Sequence, residues 1–392
     1  MIQLKYVKQK TEVAMSNYDY EIGLDLHKEF SMLALLNRQG ECLRFDKLEN
    51  NPILLNKYFS QLSGSVRVTF ESTRNWYWLA DYLHDRNIDC ILSNPFLNRV
   101  PQGGTHMHAK NDKYDARTLA QLAQCELIAT CYVPSKPIRH LRELISHRSK
   151  LVNMRTKLKN RIHLMVDKYN FKAPYDYIFG PHGIKWLDGC DFPEPIKQIV
   201  KDLLKTIEIL NPQIEEYYYR IKDRVEKHQY YKLLTTVHGI GVLHAASIIA
   251  RVADIKRFPT VEGFIRYSGL SVNTRASADR LTYGHLNRQA DTHLRTTFVE
   301  ASYLIIKHDP GLRAFYDYLR AQKGHGCAIC GVARKLARSV YFMLRNSTPY
   351  RVRKVQPQYI QQHTTTLKVK RLHRQHKPEA GSFRAVTDPT SI

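Results

Sequence analysis

The readable part of the chain opens on alternating apolar and polar positions. YEIGLDL (20–26) alternates, FSMLALL (30–36) follows, RQG supplies a turn and ECLRFDKL returns, so the spacing predicts a meander of three strands. A helical stretch from about Leu54 to Leu62 precedes a further strand, SVRVTFES. A helix from Trp76 to Arg86 and a short strand, DCILSNP, come next. Strands interleaved with helices predict a mixed sheet with helices packed on it. NDKYDARTLAQLAQ (111–124) reads as a helix with acidic residues in its first turn, where the helix dipole favours negative charge.

The period changes between Ile138 and Tyr169. Leu141, Ile145, Val152, Leu158, Ile162 and Met165 fall at helical spacings while the other faces carry Arg and Lys, the pattern of a long basic amphipathic helix. A second such region runs from Ile196 to Leu234, and Asn211-Pro212 is expected to end one helix there and begin another. The two regions suit an antiparallel coiled coil, within one chain or across a dimer. The segment between them, FKAPYDYIFGPHGIKWLDGCDFPEP, reads either as an ordered connection or as a lid. From Leu233 to about Arg345 the pattern is globular and helical. Beyond Pro349 the basic segment RVRKVQPQYIQQHTTTLKVKRLHRQHK loses periodicity, and is expected to be largely disordered and either to contact phosphates or simply to be solvated.

Charge narrows the function classes. The formal net charge of +24 over 392 residues is spread along the chain, which points to a polyanionic partner. No apolar run approaches the roughly 20 residues of a membrane span, so nucleic acid is the expected partner and membrane is not. The first residues, MIQLKYVKQKTEVAMSNYDY, lack the apolar core of a secretory signal, and the seven cysteines do not form a disulfide framework. Both features suit a reducing cytoplasm. Cys327 and Cys330 make a lone CxxC without a second pair at zinc-ribbon spacing and are read as ordinary thiols.

Four acids stand out as candidate metal ligands. Asp25 lies within the first strand, on the face opposite Leu24 and Leu26, and Glu71 ends a later strand. Asp112 and Asp115 are three apart on one helix face. Carboxylates drawn from two strands and one helix make the oxygen-only environment that Mg²⁺ or Mn²⁺ prefers, and a pair of such ions suits phosphodiester chemistry. Taken singly, each acid reads more readily as a cap or a surface group than as a ligand. Farther on, Gly239 and Gly241 in HGIG, with Ala245 and Ala246 after them, suit the turn of a helix-hairpin-helix, where backbone N–H groups approach a phosphate; a plain tight turn fits as well.

Three strands, a helix, a strand bearing Glu and a later helix bearing Asp form the layout of ribonuclease H-like (RuvC-like) nucleases. From Tyr20 to about Arg345 the chain resembles the DEDD transposases of bacterial insertion sequences, the IS one-ten and IS eleven-eleven type, whose relatives include the pilin-gene invertases. GLDLHK, ES and KNDKYDAR are similar to that family's acidic motifs, and HGIGVLHAASIIARVADIKRFPTVEGFIRYSGLSV to its signature in the second half. The resemblance implies that Asp25, Glu71, Asp112 and Asp115 hold Mg²⁺ or Mn²⁺. It also implies that Ser277, after GLSVNTRAS, attacks a DNA phosphodiester within a positive field from Arg275, Arg280, Arg288 and Arg295. Departures from the family pattern are Arg74, Ala278 and Ala290, where Gly is usual, and Asn111, where Thr is usual.

The expected architecture is an α/β ribonuclease H-like domain over 18–132, a helical coiled-coil connector over 133–232, a mostly α transposase domain with a helix-hairpin-helix and the serine over 233–348, and a basic tail over 349–392. The resemblance implies as partners DNA (the ends of a mobile element and its target) and a structured guide RNA encoded by the element, with further copies of the chain in a dimer or tetramer. The expected location is the bacterial nucleoid. A metal-dependent nuclease of the Holliday-junction kind, which needs no serine, and a non-catalytic nucleic-acid binder are the competing readings.

Overall fold

The computed structural model describes residues 16–95, 111–277, 280–287 and 290–355; for 273–283 and 285 the description stops at the backbone. The chain divides into two compact units, Met1–Pro134 and Ser135–Ile392.

The first unit is a mixed sheet with helices. β1 (Tyr20–Leu26), β2 (Phe30–Asn37) and β3 (Cys42–Glu49) form the expected antiparallel meander, followed by α1 (Pro52–Phe59), β4 (Val66–Glu71), α2 (Trp76–His84), β5 (Asp89–Ser93), α3 (Asp112–Gln124) and a short β6 (Thr130–Cys131). The order across the sheet is β3-β2-β1-β4-β5-β6. β4 and β5 run parallel to β1, and β6 antiparallel to β5.

Alternation along β1 sorts the two faces. Ile22, Leu24 and Leu26 bury against Val68 and Phe70 of β4 and against Leu55, Leu79 and Leu83 of α1 and α2. The other face, with Met32, Ala34 and Leu36 of β2, is covered by Ala116 and Ala120 of α3. A Cβ on Gly23 would sit 1.8 Å from the Ala116 carbonyl oxygen, so the small residues on both sides are what let α3 lie this close to the sheet.

The second unit is built on two long helices, α4 (Lys136–Lys168) and α6 (Ile196–Glu226), with α5 (Pro181–Gly189) between them. Val166 packs with Val200, Leu151 with Leu210 and Ile214, and Leu141 with Ile221 and Val225, so the pair is antiparallel within one chain. The break expected at Asn211-Pro212 is absent, because Pro212 lies inside a continuous α6. Leu210 and Ile214 are buried on either side of it, and Arg155 donates to Asn211 Oδ1 at 2.9 Å. Packing along the whole helix thus outweighs the local cost of about 3 kcal/mol for an interior proline.

After α6 come α7 (Tyr231–Leu234), α8 (Val242–Val252), α9 (Val261–Tyr267), β7 (Val272–Ser277), β8 (Arg280–Leu286), α10 (Thr292–His308) and α11 (Pro310–Asn346), the last bent at Gly324 with φ 80°. The core of this half is the apolar face of α8 together with Phe264, Phe298, Leu336 and Val340. The β7–β8 hairpin interrupts a stretch expected to be helical. Its residues are mostly polar in sequence, so there was no apolar periodicity to register it. The start of the basic tail is also ordered, contrary to expectation. The Tyr350 hydroxyl and the Arg353 backbone N–H both donate to buried Asp309, at 2.6 and 3.0 Å. Residues 356–392 lie outside the described residues.

Candidate metal centre

The site forms where β1 and β4 end and α3 begins. The parallel register pairs Leu24 with Phe70. One residue farther along, Asp25 and Glu71 stand side by side on neighbouring strands, on the face that α3 covers. Asp112 is the first residue of α3, with Asn111 as N-cap accepting from the Lys113 N–H at 3.1 Å. Asn is as good a cap as Thr, so the departure at 111 preserves the helix start. Asp115 follows on the next turn, its N–H bonded to the Asn111 carbonyl.

Three contacts fix the far end of α3 and so the position of its acidic start. Arg67 donates to the Ala123 carbonyl at 2.9 Å while ion-paired with buried Glu21 at 2.7 Å. The Gln124 amide donates to the carbonyls of Asn37 and Arg38, both at 3.0 Å. Gly23 supplies the close approach in the middle.

His27 is the residue that the acidic-motif reading passed over. Its Nε2 lies 3.1 Å from Asp25 Oδ2 and 3.2 Å from Asp112 Oδ2. That nitrogen is buried and, though close to both carboxylates, makes an aligned hydrogen bond with neither. Its ring stacks on Phe30 at 4.6 Å, and its carbonyl is held by the side-chain amides of Asn50 and Asn75 at 2.9 and 2.8 Å. The only signal was its place two residues after Asp25 in GLDLHK, just past the end of β1, where the strand period no longer applies.

Asp25, His27 and Asp112 each offer one ligand atom, all within 4.8 Å of one another. The donor set fits a divalent cation, because two carboxylates and a buried nitrogen left without an aligned partner converge on one small volume. Asp115 and Glu71 are not part of this tight group: Asp115 lies one turn along α3 from Asp112 and is felt electrostatically by Asp25, and Glu71 ends the neighbouring strand β4.

Burial, and next the carboxylates of Asp112 and Asp115, raise the Asp25 carboxyl above the ordinary aspartate range, against the opposing pull of His27. In the metal-free protein the folded state therefore holds this proton more tightly than the unfolded chain. The ionised form costs stability at neutral pH, and that cost is relieved as pH falls through the raised value. Metal binding requires the anion, so Mn²⁺ affinity is expected to fall on acidification at a pH above that of an ordinary aspartate. Titration calorimetry in steps from about pH 7.5 down to the ordinary aspartate range measures this, and an affinity that stays flat until that range is reached would exclude the raised Asp25 carboxyl as a ligand.

Comparison with known proteins fits this layout. A transposase model of the DEDD IS110 type matches residues 22–171, and a second, for transposases of the IS116/IS110/IS902 family, matches residues 231–317. The chain belongs to the IS110-type transposases. It is 21% identical over 339 residues to a probable family 20 transposase of Pseudomonas aeruginosa, covering 84% of this chain and 98% of that protein. It is 28% identical over 156 residues to an uncharacterized insertion-element IS110 protein of Streptomyces coelicolor, covering 40% and 38%. The match to the transposase of insertion sequence IS1328 of Yersinia enterocolitica is 19% over 337 residues, covering 84% and 98%. No helix among the described residues is long and apolar enough to cross a membrane.

In the second half of this transposase, Ser277 ends β7 and pairs in register with Arg280 at the start of β8, so it stands at the tip of the hairpin. Arg275 is paired with Thr282 on the same hairpin. Arg295, on α10, donates to the Asn287 carbonyl at 3.2 Å. Arg288 and Ala278 lie outside the described residues, whereas Arg74 is exposed in the turn after Glu71. Gly239 has φ 99°, and a Cβ there would come within 2.8 Å of the Ala301 carbonyl oxygen on α10. Its glycine is thus demanded by packing within the protein. Gly241 caps α8, and a Cβ on it would meet open space. Cys327 and Cys330 sit one turn apart on α11.

Proposed function

We propose that this insertion-sequence transposase cuts and rejoins DNA phosphodiesters with a ribonuclease H-like DEDD centre over residues 18–132 and a serine nucleophile in a mostly helical domain over 233–348. The observation that carries the reading is the convergence of Asp25, Asp112 and His27 within 4.8 Å, at the end of the strand that neighbours Glu71.

Asp25 and Asp112 hold a Mg²⁺ or Mn²⁺ ion, with Asp115 and Glu71 as further oxygen ligands and His27 as a nitrogen donor. A bound divalent cation would withdraw charge from the scissile phosphate and stabilise the departing oxygen. Asn50 and Asn75 keep the His27 backbone, and with it the imidazole, facing the two carboxylates. Ser277 Oγ attacks phosphorus and gives up its proton while the phosphorus–oxygen bond to one sugar breaks, that oxygen leaving as a protonated free hydroxyl. Attack of a sugar hydroxyl on the transient phosphoserine ester then rejoins the strand and returns the serine hydroxyl. Arg275, Arg280, Arg288 and Arg295 balance the charge that builds on the phosphate, and Gly241 leaves the start of α8 open to a backbone phosphate, as a helix-hairpin-helix does. The paired helices of 133–232 act as a coiled-coil connector in a dimer or tetramer. The substrates are the element's ends and its target, with a structured RNA of the element as guide, at the bacterial nucleoid.

The test is incubation of the purified protein with the element's ends and flanking transcript, read as protein covalently attached to DNA. Ser277→Ala is expected to lose the adduct while retaining Mn²⁺ affinity. Strand cleavage that survives in Ser277→Ala and vanishes in Asp25→Ala would reduce the protein to a metal-only nuclease.

A further inference from the structure

We propose that the groove between α4, α6 and the segment leading into α5 binds a single-stranded stretch of nucleic acid, stacking bases on Tyr177 and Phe179 and holding phosphates along α6. The groove is open, about 770 Å³ in volume, and lies wholly within the second unit, in a stretch that extends beyond both family matches.

Two independent features of its lining point to the same ligand. Lys197, Lys201 and Lys205 are spaced four apart and so form one row on α6, with Arg155 and Lys159 opposite on α4. Among the described residues none of the three α6 lysines has an acidic partner, although Asp188 and Glu208 share the lining. The cations exceed the acids, and the row matches the repeat of a phosphate backbone better than it matches any neighbour in the fold.

The second feature is aromatic. Tyr177 is 58% exposed despite its size, and its ring lies 5.8 Å from that of Phe179. Lys159 donates to the Tyr177 hydroxyl at 2.7 Å and lies over both rings, while His163 buttresses Phe179 edge-on. The rings are therefore held in place before any ligand arrives. An exposed Tyr177 backed by half-buried Phe179, beside a row of unpaired cations, suits unstacked bases, which have free faces; a duplex hides those faces, and an acidic protein would make no use of them. Oligothymidylate and oligouridylate share this chemistry, so the strand is DNA or RNA according to which binds tighter.

The experiment is fluorescence anisotropy with labelled twelve-nucleotide oligothymidylate and oligouridylate and a duplex of equal length, in EDTA. Without metal, the groove stands or falls separately from the phosphodiester chemistry. Tyr177→Ala is expected to weaken single-strand binding roughly ten-fold and leave duplex binding unchanged, whereas Tyr177→Phe keeps wild-type affinity. Reversing Lys197, Lys201 and Lys205 to Glu is expected to lower the salt slope of single-strand binding by about two. Circular dichroism verifies that each variant is folded. Single-strand affinity unchanged in both Tyr177→Ala and the triple reversal, or a duplex that competes as well as the single strand, would overturn the proposal.

Discussion

Asp25→Asn is expected to abolish strand cleavage, by about a thousand-fold or more, while the metal-free protein becomes more resistant to heat. The two effects share one origin. Asp25 sits partly buried at the end of β1, facing the like charges of Asp112 and Asp115, and its ionised form is held at a cost that His27 only partly offsets. An amide of the same shape removes the desolvation and the repulsion, so the melting temperature without metal should rise. The same change removes the anion that a divalent ion needs, so Mn²⁺ affinity and cleavage should fall together. A variant that still cleaves would show that the chemistry lies elsewhere. One that melts well below wild type would show that the carboxylate is a structural partner.

Much of this architecture was legible because the sequence obeys strong local rules. Period-two alternation marked β1 to β3, and the acidic first turn marked α3. Leu158, Ile162 and Met165 on α4, with the apolar stripe from Ile196 on α6, marked the two long helices. The failures have physical causes too. Pro212 is a local breaker overruled by burial on both sides of it, which no local rule can weigh. The β7–β8 hairpin is built from VNTRAS and RLTYGHL, whose mostly polar sequences carry no apolar alternation. The order of 349–355 depends on Asp309, some forty residues away in sequence, accepting from Tyr350 and Arg353.

The site was legible in part, for a related reason. Its acids could be picked out from the strand end and the helix start, but His27 joins them through the turn after β1, and that turn is fixed by Asn50 and Asn75 from two other segments. Gly239 shows the reverse case. Its positive φ was foreseeable from a turn between helices, yet the neighbour that forbids a side chain is the Ala301 backbone on α10.

Gly23→Ala should be the most damaging small substitution in the first unit. Along β1, Gly23 falls between Glu21 and Asp25, both of which serve α3: Glu21 through Arg67, which reaches the Ala123 carbonyl, and Asp25 through the cluster with Asp112. The added methyl would stand 1.8 Å from the Ala116 carbonyl oxygen and 2.7 Å from the Ala120 nitrogen, both backbone atoms. No rotamer can relieve such a contact, so the helix has to lift from the sheet, at a cost of about 3 kcal/mol. Lifting by even an ångström carries Asp112 and Asp115 away from Asp25. The melting temperature is therefore expected to drop by roughly 5–10 °C, with Mn²⁺ affinity falling and hydrogen exchange rising along α3. Trimming Ala116 to Gly should give no rescue, because the obstacle is its carbonyl. Wild-type melting and metal binding in Gly23→Ala would mean that α3 does not dock on the centre of the sheet, and the carboxylates it brings to the site would lose their support.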